Sequence, residues 1–390
     1  MKITFILPVL AVVGGIRVVF EYANRLQRRG HQVSIVYPLI PASALNLLRR
    51  QGLKNAVKKY VTSLSHSRFA FQTTASLVRV PLLSPKFLNH RVPDGDVVVA
   101  TGWETAYPVS KLSKQKGGKF YFVQHYEIFD VWDDYASWED AEKIERDSSK
   151  LCLAMADIIP RNPSLRRLKE LVDATYKAPL KKITISSWLK ELLEEKFHET
   201  VEAMIPNGVN FDTFHCCDKH FNRDTKKILS MYSTTKWKGA EDTIKAFRIV
   251  KERYPNIEVA MYGVVKGKAP DWIRFYENPS QKELEKLYCF SDIFVLSSWV
   301  EGFGLPPMEA MACKSAVVTT NVGGVPDYSI PGETALVVPP RKPEELAKAI
   351  IKLIEDESLL RNIAEAGYKY IRKFSWEGAT DKLEATLQTK

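Results

Sequence analysis

Ser297-Ser298-Trp299-Val300-Glu301-Gly302-Phe303-Gly304-Leu305-Pro306-Pro307-Met308-Glu309 decides how this chain is read. The apolar run Ile293 to Leu296 before it has the length of a buried strand, and Pro306 to Ala312 after it has a helical pattern. The stretch is therefore a strand-to-helix turn. Gly302 and Gly304 let backbone come close to a ligand and expose amides that a larger side chain would cover. Pro306 and Pro307 suit the first helical turn, where a missing N–H costs little. The free N–H groups and the positive dipole end of that helix make an anion site, and a diphosphate is a natural occupant. A carboxylate in the first turn, Glu309, is too near such phosphates to bind them itself and is better used to accept two hydroxyls of a ribose. Glu301, at the strand end, can accept sugar hydroxyls in the same way. The plain alternative is a surface loop with a helix-capping glutamate.

Outward from this turn, strands alternate with helices, the mark of parallel α/β sheets. In the second half, strands are expected at Ile228–Tyr232, Glu258–Tyr262, Ile293–Leu296 and Ala316–Thr319. Helices are expected at Ala240–Tyr254, Gln281–Phe290, Pro306–Ala312, Pro343–Asp356, Leu359–Tyr370 and Trp376–Leu387. The first half reads as strand Ile3–Leu7, a helix opened by Gly14-Gly15 and ended by Gly30, and strands Gln32–Tyr37, Asp96–Ala100, Lys119–Val123 and Lys182–Ser186. A helical, charge-rich section spans Ala136 to Tyr176, and a helix spans Leu189 to Phe197. Between the halves, Ile205 to Phe214 carries Pro-Asn-Gly turn chemistry after a short strand and reads as a linker. A chain of 390 residues suits two domains. A cleft between two such halves is a preferred place for a ligand.

Composition narrows the class. Apolar residues at 45% and charged residues at 26% are those of a soluble globular protein. Ile3 to Val13 behind Lys2 resembles a signal peptide, but Pro8 interrupts it and Gly14-Gly15 leads into a helix, so it reads as a buried strand and glycine loop. No other run approaches the roughly 20 apolar residues of a membrane span. The five cysteines, with Cys216 beside Cys217, lack disulfide or zinc spacing and point to reduced thiols in the cytoplasm. The net charge of +10 is uneven: residues 22–93 hold twelve Arg or Lys and no Asp or Glu. Within the segment 45–85, Arg49, Arg50, Lys54, Lys58, Lys59 and Arg68 interleave with apolar residues. That pattern reads either as a solvated helix face or as a peripheral contact with an anionic membrane surface at its inner face. No motif supports a nucleic-acid partner.

The two glutamates with seven residues between them resemble the signature of family-four retaining glycosyltransferases of the GT-B fold (glycosyl transferases group 1). Further segments follow in that family's order: Gly14-Gly15, Ile205–Phe214, Lys238-Gly239, Val317–Pro326, Gly332–Pro340 and Phe374-Ser375-Trp376. The resemblance implies two Rossmann-like α/β domains facing across a cleft. Residues 1–207 would form the acceptor-side domain and 208–373 the nucleotide-sugar donor domain, with 374–390 a helix returning to the first. It implies a transferase that moves a hexose or deoxyhexose from a nucleoside-diphosphate sugar to a glycan or lipid-linked acceptor, with retention, in cell-surface polysaccharide or glycolipid biosynthesis. It assigns Glu309 to the donor ribose, and His125 and Glu301 to the transferred sugar. Gly302 with the backbone of Phe303, Gly304 and Leu305 goes to sugar and phosphate, Lys238 to the diphosphate, and Gly15 to a place beneath it.

The chain departs from the pattern where the family carries an arginine about six residues before the phosphate lysine; here stand Met231-Tyr232-Ser233-Thr234-Thr235, with Lys236 the nearest substitute. Asp94-Gly95-Asp96 mimics the D-x-D that holds a divalent ion in other glycosyltransferases. It lies between Pro93 and a buried strand and reads as a turn, so neither metal nor cofactor is expected. The acidic stretch Glu127 to Asp147 reads as a solvated helix face or an acceptor-binding edge. A sugar-nucleotide epimerase of this architecture and a non-catalytic partner subunit are the competing readings.

Overall fold

The computed structural model describes residues 1–11, 14–41, 73–131, 135–145, 147–160, 162–215, 219, 221 and 225–389. Most of the basic segment 45–85 (residues 45–72) and the Cys216-Cys217 pair lie outside them. Among the described residues Cys152, Cys289 and Cys313 are free thiols, and no helix is long and apolar enough to cross a membrane.

The described residues form two parallel sheets in two compact units. The first sheet holds β1 (Lys2–Ile6), β2 (Gln32–Pro38), β3 (Ser76–Val80), β4 (Val97–Ala100), β5 (Gly118–Val123), β6 (Lys181–Thr184) and β7 (Val201–Met204), in the order β3-β2-β1-β4-β5-β6-β7. The second holds β8 (Lys227–Met231), β9 (Glu258–Gly263), β10 (Arg274–Glu277), β11 (Ile293–Leu296), β12 (Ala316–Thr320) and β13 (Leu336–Val338), in the order β10-β9-β8-β11-β12-β13. Parallel strands need helical crossovers, which cover both faces, so inner strands are continuous apolar runs. β4 and β11 are buried at every position. Strand order reverses between β1 and β4 in one sheet and between β8 and β11 in the other. Ligands of open α/β sheets bind beyond the carboxyl ends of the strands at such a reversal.

The units are not contiguous in sequence. The first comprises residues 1–132, 160–206 and 376–390; the second comprises 133–159 and 207–375. The boundary expected at 207 put 133–159 in the first domain, whereas these residues pack on the second unit. Trp138 meets Trp299 edge-on at 6.1 Å, Asn321 Nδ2 donates to Ser148 Oγ at 3.0 Å, and Glu142 lies 3.5 Å from Arg341.

The helix Trp376–Gln388 belongs to the first unit and lies on the helix Gly14–Arg28. Tyr22 meets Trp376 edge-on at 5.3 Å. Arg25 Nε donates to Glu377 at 2.9 Å, Arg29 pairs with Asp381 at 2.6 Å, and His31 bonds Glu384 at 2.9 Å. The charge imbalance of residues 22–93 is thus partly cancelled by acids that lie some 350 positions away in sequence.

Candidate active site

In the second unit the site grows from β8 and β11, the strands at the reversal. β11 ends at Leu296, so Glu301 stands in the following loop and not at the strand end. Its carboxylate is 5% exposed, and Oε1 accepts from Lys238 Nζ and from Ser298 Oγ, both at 2.7 Å. Lys238 closes the turn Lys236–Lys238 after β8, with its ammonium 4.4 Å from the Trp237 ring centroid. Of the two lysines on that turn, Lys238 is the one that reaches Glu301. An ammonium has three N–H donors, and the one spent on Glu301 leaves others for a second anion.

Two glycines decide how close this turn and this loop can come. Gly239 has φ +69°, and a Cβ there would lie 2.0 Å from the Ser297 carbonyl. Gly323, in the loop after β12, has φ +54°, and its Cβ would lie 1.8 Å from the Glu301 carbonyl. Both the left-handed backbone and the missing side chain are required. From the other direction, Cys152 of the 133–159 segment is buried against this loop. Burial pushes its thiol up to about 12, against the opposing pull of the Gly323 backbone.

The helix Leu305–Ala312 starts from Gly304, which has φ +98° and gives no side-chain cap. The Phe303 ring is buried against Tyr328 at 5.4 Å and Phe374 at 6.4 Å, so Phe303 offers a ligand its backbone. Glu309 is the fifth helical residue, opening the second turn, and is 3% exposed. The first-turn position expected from sequence is therefore corrected: one turn along, the side chain faces the neighbouring helix, where Tyr288 Oη donates to Oε2 at 3.2 Å.

In the first unit Gly15 follows β1 and His125 follows β5. Gln124 joins them: its Nε2 donates to the Gly15 carbonyl at 3.2 Å, and its amide lies 3.5 Å from where a Gly15 Cβ would stand. The His125 ring packs against Phe129 at 5.9 Å and Trp188 at 6.5 Å, and Tyr176 Oη donates to its carbonyl at 3.2 Å. Two residues on, Glu127 is no part of a solvated acidic face. Its oxygens accept the Trp103 N–H at 3.1 and 3.0 Å, at the start of the helix Trp103–Ser110, and Tyr121 Oη at 3.0 Å. Burial first, and then the Glu127 charge, hold the Tyr121 and Tyr176 phenols well above the ordinary tyrosine value.

Sequence reasoning gave no site role to Gln124, Ser298 or Tyr288 and read Glu127 only as the start of an acidic face or acceptor edge; Gln124 and Glu127 lie within two residues of His125, and that proximity was the available signal. The D-x-D carboxylates are occupied separately: Asp94 pairs with Lys116 at 2.7 Å, and Asp96 accepts the Lys2 N–H at 2.7 Å. An open hollow lined by Lys114, Lys119, Lys181 and His198 lies at the opposite strand ends of the first sheet, and its Lys119 is spent on the Ser110 and Leu112 carbonyls.

Residues 218–370 match the family described as glycosyl transferases group 1. Most of the second unit, residues 218–370, is thus similar to the group 1 glycosyltransferases. The first curated relative, a capsular polysaccharide biosynthesis glycosyltransferase of Staphylococcus aureus named CapM, is 28% identical over 47% of this chain and 53% of its own length. The chain spans about half the length of the curated relatives it matches first. Two solved structures carry the likeness over the whole chain. WaaG, a glycosyltransferase involved in lipopolysaccharide biosynthesis, superposes with a TM-score of 0.66 at 15% identity, covering 100% of both chains. HepE of Anabaena, in complex with UDP-glucose, superposes at 0.67 with 14% identity and the same coverage. The fold around the matched residues is GT-B.

Proposed function

We propose that the chain transfers a sugar from a nucleoside-diphosphate sugar to an acceptor hydroxyl, with retention and without a metal, in the assembly of a cell-surface polysaccharide or glycolipid. The observation that carries this reading is the Lys238–Glu301–Ser298 cluster beside the N-terminus of the helix Leu305–Ala312, at the strand-order reversal of the unit similar to group 1. HepE and CapM lend the donor class and the biosynthetic setting.

In the reaction the bond between the sugar C1 and the β-phosphate oxygen breaks, and the acceptor oxygen bonds C1. The acceptor proton goes to the departing phosphate. The negative charge that grows on that phosphate is met by Lys238 and the backbone amides at the helix start, groups already held in place before the reaction. Glu301 would accept hydroxyls of the moving sugar, Glu309 those of the ribose, and His125 and Gly15 would line the acceptor-side part.

A thermal-shift screen with UDP-, GDP-, dTDP- and ADP-sugars tests the reading. A donor at 100 times its dissociation constant adds about 2.7 kcal/mol of stability; if none of the four shifts the melting temperature, the nucleotide site is misassigned. A lipid-linked acceptor at the inner face of the membrane would account for the cations of residues 49–68, because each basic residue near an anionic surface contributes about 1 kcal/mol. Flotation with anionic vesicles at low salt checks it: a chain that stays soluble there has no such docking.

A further inference from the structure

Tyr288 is the one buried residue of the helix Gln281–Phe290. Its ring is held by Phe214 at 5.9 Å, Tyr262 at 6.0 Å and Phe294 at 5.3 Å, all three edge-on. A phenol fixed so tightly has its oxygen fixed too. That oxygen has one proton, which it gives to Glu309 Oε2 at 3.2 Å. The 2.7 Å contact between Tyr262 Oη and Tyr288 Oη must then be donated by Tyr262. The result is a directed chain from Tyr262 through Tyr288 to the carboxylate, in which each bond polarises the next. Burial first, and then Tyr262 and Glu309, keep the Tyr288 phenol well above the ordinary tyrosine value, so it remains a donor throughout the neutral range.

A buried carboxylate that receives a hydrogen bond from a phenol fixed in place has its own orientation set by that bond. We propose that Tyr288, backed by Tyr262, is a positioning residue of the nucleotide site: it aims Glu309 at the ribose and makes the site select a nucleotide with ribose hydroxyls over one without them. The inference rests on the reading of Glu309 as the ribose acceptor.

The test uses the full chain and calorimetry with UDP, GDP and ADP, each paired with its 2′,3′-dideoxy form. Wild-type protein should prefer the ribose form of the nucleotide it binds by about tenfold or more, the worth of a hydrogen bond to a charged group. Tyr288→Phe, which keeps the ring and its packing, should bring that preference down to about twofold while leaving the dideoxy affinity unchanged. Tyr262→Phe should fall between, because it removes only the polarising bond. A Tyr288→Phe variant that weakens both forms equally, or neither, overturns the inference and shows the phenol to be structural. If Glu309→Ala itself keeps the preference for ribose, the reading of Glu309 falls, and the inference with it.

Discussion

The two units share an architecture and lock their candidate sites by different means. In the second, the residues lie on one loop and one helix, and the loop is fixed by backbone approaching backbone at Gly239 and Gly323. In the first, the residues follow separate strands and are fixed by side chains: Gln124 on the Gly15 carbonyl, and Glu127 across a helix start and Tyr121. Backbone contact leaves no room for substitution, whereas a side-chain network depends on which donors and acceptors meet. The first kind of lock falls on glycines, but at Gly239 and Gly323 and not at Gly302 and Gly304, where the sequence reading placed close approach; the second is invisible until the chain is folded.

Gly323→Ala is the hardest test of that contrast. A Cβ 1.8 Å from the Glu301 carbonyl, on a residue at φ +54°, forces the loop to move. The expected cost is about 3 kcal/mol or more, together with loss of nucleotide binding. An unchanged melting temperature would mean that the loop is not locked by backbone contact. Glu309→Ala should come next: nucleotide affinity falls by about 1.5–3 kcal/mol, the range for a hydrogen bond to a charged group, with the fold intact because Tyr288 keeps Tyr262 as a partner. Isothermal titration with the nucleoside diphosphate decides it.

Glu127→Gln probes the first unit. Donors from Trp103 and Tyr121 converge on that carboxylate, and an amide nitrogen set among them leaves one unmatched at about 1–3 kcal/mol. Transfer activity and hydrogen-exchange protection around residues 121–131 should drop while nucleotide affinity stays put. A fall in nucleotide affinity would show that the two locks are not separable.

A smaller effect is expected where the last helix meets the first. His31, and then Arg29, hold the Glu384 carboxyl below its ordinary value. A depressed carboxylate stabilises the fold above its unfolded pKa, and that contribution is lost as pH falls through the folded value. The melting temperatures of wild type and Glu384→Gln should therefore differ above about pH 4.5 and converge on acidification. The smallest effect is none at all: exhaustive EDTA treatment should leave transfer unchanged, and activity that returns only with magnesium or manganese would reopen the role of Asp94 and Asp96.

Most of the interior was legible beforehand. The expected strands Ile293–Leu296 and Ala316–Thr319 stand almost as read, because a strand covered on both faces is an unbroken apolar run. The edges were not. β3, β10 and β13 were not expected as strands, and β7 appeared only as an unplaced short strand before Pro-Asn-Gly; these four are the outer strands of the two sheets. Arg274-Phe-Tyr-Glu277 carries a charge at each end and half-buried rings between, which is how an edge strand looks and also how a loop looks.

The sequence by itself determined the strand-to-helix turn at Glu301–Glu309 and the alternation that makes two parallel sheets. Each is a local property of spacing and residue type, so neighbouring positions carry the information. Only the tertiary structure decided that residues 133–159 pack with the second unit, that Glu309 is buried beneath Tyr288, that Glu127 caps a helix, and that acids of the last helix meet the cations of the first. Those outcomes depend on which side chains become neighbours across tens or hundreds of positions, and a hydrogen bond or ion pair leaves no periodic trace in the sequence of either partner.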